Sequence, residues 1–154
     1  MTRRLGEYLL QEKIYESAQS EVYRALREPN RQRYILKILK EDYPNAQALI
    51  RYKQEYKIIR NLNLDGVIKA YGLEPNCETL AIVLEDFGAS SLQTLLQEGS
   101  LFPEPASLRH FLTLAIAITD ALGQLHAAEI THKDINPANI VVNSKTLQVK
   151  LIDF

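Results

Sequence analysis

Ala106 to Ala127 has the pattern of one long helix with almost no polar face. Leu108, Phe111, Leu112, Leu114, Ala115, Ile116, Ile118, Ala121, Leu122 and Leu125 cover most of its circumference. A helix of that kind needs burial on several sides. The residues after Ala127 provide few elements to do this, so part of its cover is expected from further chain. The segment is not a membrane span. Its longest apolar stretch, Phe111 to Ile118, is broken by Thr113 and soon followed by Asp120, whereas a bilayer crossing needs ~20 apolar residues.

The front half is patterned differently. Tyr8 to Ile14 and Glu21 to Leu26 read as strands around a polar turn, Tyr15 to Ser20. Glu28-Pro29-Asn30 is a turn signal, and Arg33 to Leu39 a third strand. Pro44-Asn45 opens a helix to about Leu62, with Leu49, Tyr52, Ile58, Ile59 and Leu62 at three- to four-residue steps. Val67 to Leu73 and Thr79 to Leu84 complete a five-stranded antiparallel sheet with one helix, paired across Glu74-Pro75-Asn76-Cys77. From Gly88 the chain turns helical: Ser91 to Gln97, capped by Ser90 or Ser91, then a loop, Leu101 to Pro105, then the long helix. The fold class is α+β, with the domains expected at 1–87 and 88–154.

A net charge of −1 gives no global field to attract nucleic acid or a membrane surface. The charge is uneven, with 13 Lys/Arg against 8 Asp/Glu in residues 1–60 and 5 against 11 thereafter. A basic front half suits phosphate ligands and equally suits solvated helix faces. The lone Cys77 excludes an internal disulfide or a Cys-cluster zinc site, which fits a reducing, cytoplasmic setting. The basic start, Met1-Thr2-Arg3-Arg4, is not followed by an apolar signal core.

Three features carry chemistry. Lys37 lies inside the apolar strand Tyr34-Ile35-Leu36-Lys37-Ile38-Leu39, where an ammonium is costly without an anionic partner. Glu55 lies on the apolar face of the first helix and has the same problem, so the two solve each other if that helix packs on the sheet. The alternative is a snorkelling Lys and a solvated Glu. Leu80 to Gly88 is an apolar strand ending in the acidic turn Glu85-Asp86. Thr131-His132-Lys133-Asp134-Ile135-Asn136-Pro137-Ala138-Asn139 places an Asp and an Asn five residues apart on a loop. Asp153 stands at a strand end about fifteen residues on, the acidic layout for a base and magnesium around a transferring phosphoryl group.

In order and spacing, these segments resemble the protein kinase family from about Tyr8 to Phe154. The resemblance implies a sheet-rich N-lobe, an incomplete helical C-lobe, and use of ATP and Mg²⁺ on a protein substrate. Lys37 would hold the α- and β-phosphates, oriented by Glu55. Leu84 would be the gatekeeper of the adenine pocket, Glu85 and Phe87 would present main-chain groups to the adenine edge, and Ile14 and Val22 would frame the nucleotide. Asp134 would accept the substrate hydroxyl proton, with Asn139 and Asp153 as magnesium ligands. His132 would pack against the metal-binding turn. His110 and His126, on the long helix, read as structural.

The chain departs from the family at two places. Tyr15, Ser17 and Ser20 stand where the phosphate-covering turn carries glycines, which let main-chain N–H groups approach an anion. Asn136 stands where serine/threonine kinases place a Lys, and Lys133 replaces an Arg, losing its bidentate fork. These departures keep two alternatives open. One is a pseudokinase that binds and regulates; the other is a small-molecule phosphotransferase, which Lys133 disfavours because those enzymes usually carry Gly there. The segments "YESAQSEVYRA", "LKILKEDYP", "RYKQEY" and "HKDINPANIVVN" further resemble kinase-like domains at the front of large bacterial sensor proteins, with more signalling domains following.

Overall fold

The computed structural model describes residues 3–40, 46–76, 79–99, 101 and 107–154. Expectations placed on Met1-Thr2, Pro44-Asn45, Cys77, Ala106 and most of the 101–105 loop lie outside the described residues. The chain divides into two compact units. One runs to Asn61 and includes Lys69–Asp86; the other comprises Leu62–Ile68 and Phe87–Phe154.

The first unit holds strands β1 (Arg4–Leu5), β2 (Tyr8–Glu16), β3 (Ser20–Arg27) and β4 (Gln32–Leu39) and helix α1 (Ala46–Asn61). It ends with strands β5 (Ala70–Asn76) and β6 (Thr79–Glu85). All six strands form one antiparallel sheet in the order β1-β2-β3-β4-β6-β5. The two-residue β1 is an addition to the five strands expected. It is pinned by Leu5, which is buried with Tyr8, Leu10, Ala25, Leu36, Ile38, Ala81 and Val83. Strand alternation then sends Lys37 to the opposite face of β4 from Leu36 and Ile38. On α1, Tyr52 and Ile59 are buried, but Ile58 is 39% exposed and does not share the face assigned to it. Ile58 follows Glu55 by three residues and Ile59 by four, and only the latter row closes onto the sheet.

β2 and β3 are longer than expected: Tyr15 and Glu16 pair with Val22 and Glu21, so the turn shortens to residues 17–19. Beyond Leu10 every β2 side chain is exposed. Register shifts between Leu10/Glu12 and Lys13/Tyr15 mark β-bulges, which bend and twist a strand.

The second unit holds β7 (Ser90–Ser91), α2 (Leu92–Glu98), α3 (Ser107–Ala127), β8 (Ile140–Val142) and β9 (Val149–Leu151). The three strands form an antiparallel sheet. Ser91 caps α2, accepting from the Thr94 N–H at 3.1 Å, and Gly99 closes it in the left-handed conformation. Val67 is not part of the β5 strand expected from 67. It bridges Leu151 in parallel, with the Leu151 N–H on Gly66 O at 2.9 Å and the Ile68 N–H on Leu151 O at 3.1 Å. The turn at Asp65-Gly66 redirects the chain, so segment 62–68 belongs to this unit.

Leu114, Ala121 and Leu125 bury one side of α3, while Leu108, Phe111, Leu112 and Ile116 are 50–68% exposed. The helix is therefore covered on fewer sides than its composition calls for. A Cβ on Gly66 would lie 2.5 Å from Ala121 Cβ and 2.6 Å from its Cα. Gly66→Ala must push helix backbone aside, so it is expected to cost about 1–3 kcal/mol or more. A fall in melting temperature reads this out; an unchanged melt contradicts the close approach.

Candidate functional site

In the first unit, Lys37 Nζ meets both carboxylate oxygens of Glu55, at 2.8 and 3.0 Å. Each side chain is 14% exposed. The Tyr52 hydroxyl donates to the Lys37 carbonyl, and Lys37 Nζ lies 5.7 Å from the Tyr52 ring centre. The strand Lys and the helix Glu thus satisfy one another, as their isolated placement in apolar segments required.

Leu84 is buried in β6 opposite Ile35 and Ala70. The Glu85 N–H donates to Lys69 O at 3.0 Å, and Glu85 Oε1 accepts from the Lys69 N–H at 2.7 Å. In the second unit, the Phe87 carbonyl accepts from Asn143 Nδ2 at 2.6 Å, and Lys150 Nζ sits 5.5 Å from the Phe87 ring centre. Some of the main-chain groups proposed to meet adenine are therefore already bonded within the protein. Val22 pairs with Lys37 across the β3–β4 ladder. Ile14 occupies a bulge and is 39% exposed.

The β2–β3 turn is clasped by charge. Glu16 Oε1 receives Lys40 Nζ at 2.7 Å, its other oxygen receives Lys13 Nζ, and the Lys40 N–H donates to Gln19 O at 2.9 Å. Hydrogen bonds from Lys13 and then Lys40 hold the Glu16 carboxyl at about 2, down from 4.5. A depressed carboxyl contributes stability that is whole above 4.5 and is lost as pH falls towards 2. The turn is therefore expected to loosen over that window, and Glu16→Gln to remove the acid dependence. Amide exchange across residues 17–20 measures both.

In the second unit the 131–139 loop organises itself around Asp134. Asn139 Nδ2 donates to the Asp134 carbonyl and to Oδ2, both at 2.9 Å. Asn136 Nδ2 donates to Oδ1 at 3.1 Å, while Asn136 Oδ1 accepts the N–H groups of Ala138 and Asn139 at 2.9 and 3.3 Å. Asn136 lacks the charge of a Lys, yet it orients one carboxylate oxygen and caps the loop. Sequence reasoning missed this; the Asn-Pro that follows Ile135 was the available signal, since Asn bonds main chain two residues on.

His132 is buried, with Nε2 2.7 Å from the Ile152 carbonyl and the Asp134 N–H 3.4 Å from Nδ1. A carbonyl only accepts, so Nε2 carries the proton and Nδ1 is the acceptor. The Ile152 N–H reaches Asn139 O at 3.1 Å, and the His132 and Phe154 rings meet in a tilted contact, centroids 4.7 Å apart and planes at 53°. These bonds bring the Asp134–Asn139 loop and the Asp153 segment together. Lys133 and Asp153 both have positive φ, +70° and +62°; Asp tolerates that region, whereas a Lys there stores strain of a kind that gathers at active sites. With its nitrogen committed to Asp134, Asn139 has Oδ1 as the atom that could ligate a cation. That oxygen and the Asp153 carboxylate are hard donors of the type magnesium takes. Among the described residues, no cluster of three or more His, Cys, Asp or Glu could hold a metal by itself.

Residues 8–154 match the model of the protein kinase domain family. The chain belongs to the protein kinase family. Similar kinases include serine/threonine-protein kinase PknA of Mycobacterium tuberculosis, 29% identical over 155 residues, covering 97% of this chain and 35% of PknA. A probable serine/threonine-protein kinase of Clostridium perfringens is 27% identical over 150 residues, covering 97% of this chain and 21% of its own. Mitogen-activated protein kinase kinase kinase 3 of Arabidopsis thaliana is 29% identical over 119 residues, 77% of this chain and 19% of its own. The chain thus spans well under half of each of these kinases. The kinase family generally uses ATP and magnesium. No helix of the described residues is long and apolar enough to cross a membrane.

Proposed function

We propose that this kinase domain binds Mg-ATP and transfers its terminal phosphoryl group to serine or threonine hydroxyls of a protein. The observation that carries the proposal is the loop in which Asn139 and Asn136 each fix one oxygen of the Asp134 carboxylate. A carboxylate held by two amides, on a loop tied to the Asp153 segment, suits a positioned general base. In this reading Lys37, held by Glu55, contacts the α- and β-phosphates. Asn139 Oδ1 and the Asp153 carboxylate hold the cation. Magnesium, when bound, neutralises charge on the phosphate oxygens. Leu84, Glu85 and Phe87 border the adenine, and Ile14 and Val22 cover it.

The chain is further proposed to act in a larger signalling polypeptide, the likeness to front domains of bacterial sensor proteins resting on the four segments quoted above. A cytoplasmic site of action is proposed with it, resting on the lone Cys77, which suits a reducing setting. Calorimetry with Mg-ATP on the intact polypeptide carrying residues 1–154 tests the core proposal, and absence of binding overturns it. Transfer of radiolabelled phosphate to a protein acceptor then separates an active kinase from a regulatory binding module.

A further inference from the structure

The tip of the β2–β3 turn closes on its own serine. The N–H groups of Gln19 and Ser20 converge on Ser17 Oγ, at 3.2 and 3.0 Å. The Ser17 N–H reaches Ser20 O at 2.8 Å, and Ser17 Oγ lies 3.2 Å from Ser20 Oγ and 3.3 Å from Ser20 O. No residue from 15 to 20 has positive φ, so the turn forms without glycine. The serine therefore does not merely fill space left by a glycine; it delivers an acceptor oxygen.

Neighbouring main-chain N–H groups that converge on one point form an anion-binding concavity. Here the point is occupied by a neutral hydroxyl from the same turn. The hydroxyl is held there by the short chain that carries it, at a high effective concentration. The tip is also tied down by the Lys40–Gln19 and Lys40–Glu16 bonds, which keeps the two amides aimed at Ser17.

We propose that Ser17 is an internal competitor for phosphate: its hydroxyl takes the two amide donors that a nucleotide's phosphate oxygens would use, and so lowers the affinity of this turn for the triphosphate. The inference rests on the ATP-binding reading above. A phosphate oxygen makes the stronger, charge-assisted bond, but it must first displace Ser17. Removing the hydroxyl leaves both N–H groups to water, so the phosphate displaces only solvent.

The test is calorimetry on the intact polypeptide with magnesium-free ATP, magnesium-free AMP and adenosine. Ser17→Ala is expected to lower the Kd for ATP roughly tenfold, about 1.4 kcal/mol, with the adenosine Kd matching wild type. Ser17→Thr keeps the hydroxyl and is expected to follow wild type for all three ligands. Amide exchange at Gln19 and Ser20 should quicken in Ser17→Ala and slow again on adding ATP. Equal or weaker ATP binding by Ser17→Ala, with adenosine binding intact, overturns this inference and leaves the ATP reading standing. Failure of every variant and of wild type to bind ATP or adenosine overturns both.

Discussion

Asp134→Asn lowers phosphoryl transfer by ~10²–10⁴-fold, the span typical of a positioned base, while the calorimetric affinity for ATP is retained. The structure predicts a secondary cost as well. Both Asp134 oxygens accept from amide nitrogens, Oδ1 from Asn136 and Oδ2 from Asn139. An asparagine at 134 turns one of those oxygens into a donor facing a donor. Asn136 cannot flip in response without exposing the Ala138 and Asn139 N–H groups that its own Oδ1 caps. One hydrogen bond is therefore lost, about 1 kcal/mol, and the melting temperature falls slightly. Single-turnover assays with a protein acceptor measure the rate. Transfer at the wild-type rate would remove Asp134 from the base role.

Glu55→Gln is the second large effect, and it separates structure from function. The Lys37–Glu55 pair is largely removed from solvent, each side chain 14% exposed. Neutralising Glu55 removes the carboxylate charge that Lys37 meets at 2.8 and 3.0 Å, at a cost of about 3 kcal/mol and roughly 6–12 °C in melting temperature. The double variant Lys37→Met with Glu55→Leu removes both charges at once. Replacing a buried ion pair with apolar residues is often near neutral, so the double variant should melt well above the sum of the single losses. Its ATP affinity should nevertheless stay low, because the Lys37 ammonium proposed to contact the α- and β-phosphates is gone. A double variant that regains stability and also binds ATP like wild type would show that the pair is structural only.

The exposed stripe Leu108, Phe111, Leu112 and Ile116 bears on how such experiments behave. A contiguous apolar patch of this kind favours association. The 154 residues expressed by themselves are expected to self-associate at high concentration, which light scattering measures. Monodisperse protein at all concentrations would contradict that.

Much of the fold was legible because its signals are local. Period-two strands, the Glu28-Pro29-Asn30 turn and the Ser91 cap depend on neighbours in sequence, and the observed elements fall within a few residues of expectation. The pairing of Lys37 with Glu55 was also legible, since a charge in an apolar segment demands a partner and each segment contained only one candidate. Ile58 was misassigned because three- and four-residue spacings both suit a helix face, and packing decides which row is buried. Val67 and Ile68 were misassigned because apolar residues there look alike whether they extend β5 or pair with Leu151 of β9.

What the sequence determined by itself was the list of chemical groups and their order: a strand Lys, a helix Glu, an Asp/Asn loop and a final Asp. What only the tertiary structure decided was how those groups are spent. It turned Asn136 from a missing charge into a support for Asp134, and it put the Ser17 hydroxyl where the turn's amides converge. It also set Gly66 against Ala121, 55 residues along the chain. The physical reason is the same in each case. A hydrogen bond or a close contact depends on distance and direction, and these are fixed only when the loops close on one another.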